Sequence, residues 1–242
     1  MSRRGVLVYA VAVHLVYGAA LALLLDFIAG TGYLRALDDG PTATFAPAIA
    51  IDLALIAAFG VSHSVLARPA AKRALTRILP PAAERATYVL VASITLAVVV
   101  WQWRALPAPL WRIDAPAARF AVYALQLAGV ALALWSMILA NYGEFFGLRQ
   151  AWLHARGEPH TPVPFVERSL YRYVRHPLMV GLALWMWAAP TMSVGHLVFA
   201  GGMTAYIAVG VVLEERGLAA AIGEPYRAYR ARVRAFVPLR RR

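Results

Sequence analysis

Apolar residues do not alternate with polar ones in this chain but come in long runs separated by short polar segments. A run of about twenty apolar residues is long enough to cross the hydrocarbon part of a bilayer as a helix. The sequence therefore predicts four membrane helices in its first part, the third of them ending in an interfacial anchor formed by Trp101 and Trp103. Their predicted bounds are Gly5–Ile28, Ala48–Leu66, Ala86–Trp103 and Ala117–Ala140.

A further pair of apolar segments follows a long polar stretch. The first, Leu178–Ala189, is short for a complete span, and the second, Met192–Leu213, is long enough to cross. Pro190 and Gly195 indicate a tight turn between them. We therefore expect a helical hairpin whose two arms are the fifth and sixth membrane helices, followed by an arginine-rich tail over Arg216–Arg242.

Composition agrees with this pattern. Of the 242 residues 61% are hydrophobic and none is cysteine, which favours an all-α, polytopic integral membrane protein and excludes disulfides and thiolate metal sites. The net charge of +12 would suggest nucleic acid in a soluble protein, but no nucleic-acid-binding motif accompanies it. We therefore expect the lipid bilayer, and no nucleic acid, as a partner.

The basic residues also predict an orientation. Twenty of the 24 lysines and arginines lie in alternate loops and at the two ends of the chain, and the other loops hold four. Basic residues accumulate on the cytoplasmic side of membrane proteins. We therefore expect six spans in a bacterial inner membrane, with both termini and the tail in the cytoplasm.

Candidate chemistry is concentrated in the stretch Tyr171–Pro177. Proline fits the first position of a helix, so a helix should begin at Pro177, with its free N–H groups beside Arg175 and His176. The next apolar segment is predicted to end at Glu214-Glu215 on the same side, where two adjacent acids need cations nearby. Together the two ends could hold a zwitterion.

Two histidines in the polar stretch raise the question of a metal. His154 and His160 are six residues apart, and the sequence offers no third metal ligand at a suitable spacing from them. Zinc and haem sites need a more complete ligand set. We therefore expect no metal.

Several motifs of the last third of the chain resemble the isoprenylcysteine carboxyl methyltransferase superfamily, whose members are integral membrane enzymes. The matching residues, in the same order and spacing, are Arg175-His176-Pro177, Gly181, Glu214-Glu215 and the segment Gly223–Tyr229. Further upstream, four segments are similar to its methanethiol S-methyltransferase branch. They are Ser62–Val65, Phe146–Gln150, Thr161–Phe165 and Pro190–His196. Where that branch has His-Phe-Asp-Leu, this chain has Tyr142-Gly-Glu144-Phe, so a histidine is absent.

The resemblance implies S-adenosylmethionine as the cofactor, with His176 and Glu215 lining its site. The residue chemistry agrees, because the helix start with Arg175 suits a carboxylate and Glu214 or Glu215 suits an ammonium group. Tyr171, Tyr173, Trp185 or Trp187 could face the sulfonium or enclose adenine. The predicted cofactor-binding residues are Tyr171, Tyr173, Arg175, His176, Pro177, Glu214 and Glu215. The simpler alternative is that Arg175 and Glu215 only neutralise each other.

The implied reaction is methylation of a small thiol, methanethiol to dimethyl sulfide, and also of hydrogen sulfide. The thiol must become a thiolate, since the thiol is the poorer nucleophile. His176, His154, His63 and Glu144 are all candidates to take the proton, and the sequence does not choose among them. Arg149, with Tyr142, could instead shape the pocket. The candidate catalytic set is His176, Glu144, Arg149 and His154.

Two other functions stay open at this level. One is methylation of a prenyl- or lipid-linked acceptor, and the other is a non-catalytic membrane accessory protein. Bulky aromatic residues favour a small acceptor, because they would fill the groove that a chain requires. These are Tyr142, Phe145, Phe146, Trp185 and Trp187. We treat residues 1–242 as one domain, in which 1–140 form a four-helix membrane part and 141–242 a cytoplasm-facing, cofactor-binding part.

Overall fold

A computed structural model of the chain describes residues 1–238, which are mainly helical. Two short strands, β1 (Pro109–Arg112) and β2 (Thr191–Ser193), form a two-stranded sheet. The helices are α1 (Arg3–Ala29), α2 (Phe45–Leu66), α3 (Pro69–Leu75), α4 (Glu84–Gln102), α5 (Pro116–Leu139), α6 (Tyr142–Phe146), α7 (Leu148–Arg156), α8 (Pro177–Trp187), α9 (Val194–Ile222) and α10 (Glu224–Arg232). Short 3-10 turns precede α4, over Pro81–Ala83, and α8, over Ser169–Arg172.

Within residues 1–238, five helices are long and apolar enough to cross a membrane. They are α1, α2, α4 with its preceding turn, α5 and α9, with 22 to 29 residues each. At a rise of about 1.5 Å per residue, even 22 residues extend over about 33 Å, the thickness of a bilayer core. The prediction of an all-α integral membrane protein is confirmed. Helix α8, with 11 residues, is too short to cross as a straight helix.

The chain divides into two compact units. The first comprises Met1–Leu110, Asn141–Pro162 and Ser193–Phe199, and the second Trp111–Ala140, Val163–Met192 and the chain from Ala200 onward. In the first unit α1 packs against α4 and α7, and α2 packs against α4. In the second unit α5 packs closely against α8.

One aromatic residue of the first unit lies where the sequence did not predict it. Trp103 is fully buried and packs edge-to-face against Phe27 and Phe199, with ring centroids 6.0 and 5.5 Å away. Helix α4 ends at Gln102, and the backbone after it leaves the helical conformation, so that the indole turns inward. Trp101 stays exposed, with the Arg35 guanidinium 5.3 Å from its ring centroid. The predicted pair of interfacial anchors is therefore wrong for Trp103.

Two glycines let α5 and α8 approach closely in the second unit. A Cβ atom on Gly129 would lie 2.6 Å from the backbone nitrogen of Trp185, and one on Gly181 would lie 2.6 Å from that of Ala133. Real Cβ atoms do not come that close to backbone, so only glycine permits this contact. The close approach fixes α8, and with it the polar stretch that precedes Pro177.

Helix α9 is longer than its apolar pattern predicted. It continues past Leu213 through the acid pair and ends at Ile222, followed by Gly223 with a φ of 78°. Residues 216–222 contain leucine and three alanines, which are good helix formers, and glycine readily takes a positive φ. Glu214 and Glu215 therefore lie inside the helix rather than at its end. The predicted tail contains the end of α9, then α10; its last four residues, 239–242, lie outside the described residues.

Candidate functional site

The stretch Tyr171–Pro177 has the local structure that its sequence predicts. Helix α8 begins at Pro177, whose missing N–H costs nothing at the first helical position. His176 stands just before it, and its carbonyl accepts the first helical hydrogen bond, from the Val180 N–H. Because Gly181 fixes α8 against α5, His176 and Arg175 are presented from a rigid element of the second unit.

Arg175 and Glu215 form a buried ion pair. Nε and Nη2 of Arg175 lie 2.7 and 2.6 Å from Oε1 of Glu215, and the two side chains are only 5% and 6% exposed. Nη1 of Arg175 donates to the backbone carbonyls of Arg230 and Val233. All three nitrogens of the guanidinium are therefore engaged by protein acceptors, which is the condition for burying such a group without a large cost.

Two further side chains converge on the same carboxylate. Nε2 of the buried His176 lies 3.0 Å from Oε1 of Glu215, and Nε of Arg230 lies 3.0 Å from Oε2. Glu214, by contrast, is 51% exposed, with Oε2 3.8 Å from Nδ1 of His176. Of the adjacent acids, one is buried and shared among three nitrogen-bearing side chains, and the other is open to solvent beside the imidazole.

The end of α10 and the segment that follows it complete this arrangement. The N–H groups of Arg175 and His176 donate to the carbonyls of Arg234 and Ala235, at 2.9 and 3.1 Å. The Tyr229 hydroxyl donates to the Tyr171 carbonyl at 2.6 Å. We call residues Arg230–Phe236 the C-terminal strap. Sequence reasoning missed it, since the Gly223–Tyr229 motif only suggested by resemblance that this region takes part.

The predicted tyrosines differ in their surroundings. Tyr171 is half-buried and its hydroxyl donates to the Ser136 carbonyl at 3.3 Å, whereas Tyr173 is exposed. Burial, together with the nearby charge of Glu214, raises the pKa of Tyr171 above its usual value. Tyr171 therefore stays a neutral phenol at neutral pH and cannot act there as a base.

The tryptophans of α8 also differ. Trp185 is buried, and its backbone carbonyl accepts from Gln126 Nε2 at 3.4 Å. Trp187 is partly exposed and its indole N–H donates to Thr204 at 2.9 Å. Trp185 therefore packs inside the second unit, and Trp187 is held at its surface.

A second polar cluster lies in the first unit, around Glu144. Its carboxylate accepts from Arg149 Nη1 at 2.9 Å and Gln150 Nε2 at 3.1 Å, and it lies 2.7 Å from His160 Nε2. Arg149 also donates to the carbonyl and hydroxyl of Thr161, at 2.8 and 2.7 Å. The predicted pair of Glu144 and Arg149 is thus brought together, and the histidine beside it is His160. His154, the histidine that the sequence predicted as a catalytic candidate, lies further along α7.

Aromatic residues of the first unit surround another, half-buried pair. The Tyr142 hydroxyl lies 2.8 Å from His14 Nε2, and the rings of Tyr17 and Phe146 pack against the same imidazole, with centroids 5.6 and 5.3 Å away. Burial raises the pKa of Tyr142, so that it too stays protonated at neutral pH. His63 lies 2.5 Å from the Tyr88 hydroxyl, which supports a packing role for that histidine.

No metal centre is apparent in residues 1–238, where no three histidine, aspartate or glutamate side chains come together as a ligand set.

Comparison with known proteins shows which family this chain resembles. A family model described as NnrU protein matches residues 53–238. A methanethiol S-methyltransferase of Mycobacterium tuberculosis is 43% identical over 98% of this chain and 98% of its own length. Methanethiol S-methyltransferase 1 of Bradyrhizobium diazoefficiens is 39% identical over 96% of this chain and 82% of its own length. Nurim of Rattus norvegicus is 30% identical over 77% of this chain and 73% of its own length. No solved structure matches the chain.

Proposed function

The chain belongs to the NnrU family and to the methanethiol S-methyltransferase branch, and on this membership we propose that it transfers a methyl group from S-adenosylmethionine to a small thiol. Methanethiol, which would give dimethyl sulfide, is the proposed acceptor, with hydrogen sulfide as a second. The observation that carries the proposal is similarity, over nearly the whole chain, to proteins named methanethiol S-methyltransferase.

The side chains around Glu215 suit such a cofactor. S-adenosylmethionine carries a carboxylate, an ammonium and a sulfonium, and the second unit presents both an exposed acid and an exposed cation beside His176. When bound, the cofactor supplies an electrophilic methyl group. Glu214 is the side chain that we assign to the ammonium group, because it is exposed and, within residues 1–238, forms no short ion pair with an arginine. Glu215 and Arg175 hold His176 and the C-terminal strap in place.

Methyl transfer depends mainly on positioning and on the exclusion of water. The proton of the thiol needs an acceptor, and the raised pKa values of Tyr142 and Tyr171 argue against either phenol. We keep His176, Glu144 and His154 as the proposed acceptors. Arg149, which holds Glu144 in one orientation, is proposed to position it.

The size of the acceptor is the next part of the proposal. Phe146 and Trp185 are both buried, each inside its own unit. Buried rings occupy space that a prenyl or acyl chain would require, which supports a small acceptor. An apolar pocket discriminates small differences in size weakly, so ethanethiol should react within about a hundredfold of methanethiol.

The membrane arrangement belongs to the proposal as well. We propose six membrane segments, with α8 as the short fifth one, in a bacterial inner membrane, and both termini in the cytoplasm. The alternation of basic loops supports this orientation. We also propose one membrane-embedded domain, whose part 141–242 contains the helical hairpin and carries the cofactor on its cytoplasm-facing side.

The test is a reconstituted reaction. Purified protein in detergent, given S-adenosylmethionine and methanethiol, should release dimethyl sulfide that gas chromatography detects in the headspace. His176→Ala should abolish release, and Arg227→Gln, on the exposed face of α10, serves as the matched control. Faster turnover of a farnesylated cysteine would overturn the small-thiol assignment alone. Failure to bind labelled S-adenosylmethionine would leave a non-catalytic membrane protein.

A further inference from the structure

The carboxylate of a bound S-adenosylmethionine needs a cation, and the sequence suggested Arg175 for it. This suggestion, and the inference about Arg230, both rest on the proposed function. Arg175 is an unsuitable partner in the structure, because it is buried and its three nitrogens already contact Glu215, Arg230 and Val233. Binding a second carboxylate would break a buried ion pair, which is costly.

His176 is no better placed to bind an anion. It is buried, Nε2 lies against Glu215, and Nδ1 faces the second acid, Glu214, at 3.8 Å. A carboxylate brought to this imidazole would meet two acidic side chains. The two residues on which the sequence prediction depended are therefore engaged inside the protein.

Arg230 on α10 has the properties that the other two lack. Its Nε is fixed 3.0 Å from Oε2 of Glu215, while 51% of its side chain is exposed. In a guanidinium, Nε carries one N–H and the two terminal nitrogens carry four, in a planar fork that matches a carboxylate. An arginine fixed through Nε thus keeps the fork available, with little conformational entropy left to lose on binding.

The position of Arg230 relative to Glu214 is also suitable. The two residues flank the same His176–Glu215 pair, Glu214 through Nδ1 of the imidazole and Arg230 through the far oxygen of Glu215. An α-amino acid group carries its ammonium and carboxylate on one carbon, so it needs an acid and a cation close to each other. We infer that Arg230 binds the carboxylate of the methyl donor while Glu214 binds its ammonium group.

The backbone around Arg230 supports a binding role rather than that of a loose surface arginine. The carbonyl of Arg230 itself accepts from Arg175, and the neighbouring Tyr229 hydroxyl is bonded to Tyr171. The C-terminal strap therefore carries the guanidinium on a firmly held piece of chain. This is the preorganisation that a charged binding residue needs.

The test compares two ligands that differ only in the carboxylate. Isothermal titration calorimetry of the full-length protein in detergent measures the affinity for S-adenosylmethionine and for decarboxylated S-adenosylmethionine. Arg230→Gln should weaken binding of the first roughly 10- to 100-fold, as expected for a lost charge-assisted contact. The affinity for decarboxylated S-adenosylmethionine should stay within about twofold of wild type, because this ligand has no carboxylate for Arg230 to bind. Arg227→Gln, one turn away and, within the described part of the chain, paired only with Glu224, should change neither affinity.

Each other outcome has a distinct meaning. Equal weakening for both ligands would show that Arg230 acts only by holding Glu215, and unchanged binding would show no role; either overturns the inference. If the wild-type protein binds neither ligand, the proposed function itself fails. Should Arg230→Gln not fold, Arg230→Lys takes its place, since it keeps the charge but not the fork. It should lose affinity for the carboxylate-bearing ligand alone.

Discussion

The carboxylate of Glu215 lies 2.6 Å from Nη2 of Arg175, and neither side chain is more than 6% exposed. Glu214, the adjacent residue, has half of its side chain in solvent. Two acids that are neighbours in sequence therefore have different surroundings. The buried acid holds the structure around His176, and the exposed one is available to a ligand.

Glu215→Gln should destabilise the protein by about 3–5 kcal/mol, because it leaves the Arg175 guanidinium buried without its counterion. Thermal and denaturant unfolding in detergent measure the loss. Glu214→Gln is the matched control and should leave the free energy of unfolding within about 0.5 kcal/mol of wild type. In calorimetry, however, Glu214→Gln should weaken binding of S-adenosylhomocysteine. Equal stability losses in the two variants would contradict this division of roles.

Two tyrosines of α10 should respond oppositely to loss of the hydroxyl. Within residues 1–238 the buried Tyr226 hydroxyl has no hydrogen-bond partner, whereas the Tyr229 hydroxyl donates to Tyr171 at 2.6 Å. Tyr226→Phe should be neutral or stabilising, and Tyr229→Phe should cost about 1 kcal/mol. Unfolding experiments at pH 8 compare them. A larger loss from Tyr226→Phe would indicate a role for its hydroxyl that the packing does not explain.

The same tyrosine predicts a dependence on alkaline pH. Burial, and after it the charge of Glu215, raises the pKa of Tyr226 to about 12. Between pH 10 and 12 the phenol ionises in the unfolded chain but keeps its proton in the folded one, so stability should fall as pH rises through this range. Tyr226→Phe should make the fall shallower. An unchanged slope would mean that this phenol does not contribute.

The contact between α5 and α8 predicts a contrast among glycines. Gly129→Ala and Gly181→Ala place a methyl group against backbone of the other helix and should each cost about 1–3 kcal/mol or more. The methyl group of Gly210→Ala, in α9, meets no atom of residues 1–238 within 4 Å, and this variant should be neutral or up to about 1 kcal/mol more stable. Melting temperatures in detergent provide the comparison. The first two variants should also bind S-adenosylhomocysteine more weakly, because α8 carries His176.

Reporter fusions test the proposed orientation. Alkaline phosphatase joined after Pro41, Pro107 or Thr191 should be active, since these sites are proposed to face away from the cytoplasm. A fusion after Pro80, in a basic loop, should be inactive and serves as the control. An active Pro80 fusion would contradict the proposed orientation, and an inactive Pro107 fusion would contradict the six-segment arrangement.

The sequence predicted those parts of the fold that have a local signal. Long apolar runs marked the membrane helices, and Pro177 marked the start of α8. The predicted end of α9 was wrong, because the charges of Glu214 and Glu215 interrupt the apolar pattern but do not stop a helix. The C-terminal strap could not be predicted, since its backbone bonds join residues about sixty positions apart and leave no periodicity. Burial of one acid and exposure of its neighbour depend on that strap.

The carbonyls that receive the N–H groups of Arg175 and His176 belong to Arg234 and Ala235, beyond the last long helix. During synthesis every long helix, through Ile222, is made before them. A chain interrupted by a stop codon between Ile222 and Arg234 would therefore contain all five long apolar helices and could enter the membrane. It would lack the Arg234 and Ala235 carbonyls that accept from the backbone of Arg175 and His176, so such alleles should yield inserted protein that is inactive. A normal amount of protein in the membrane fraction would not indicate a working allele.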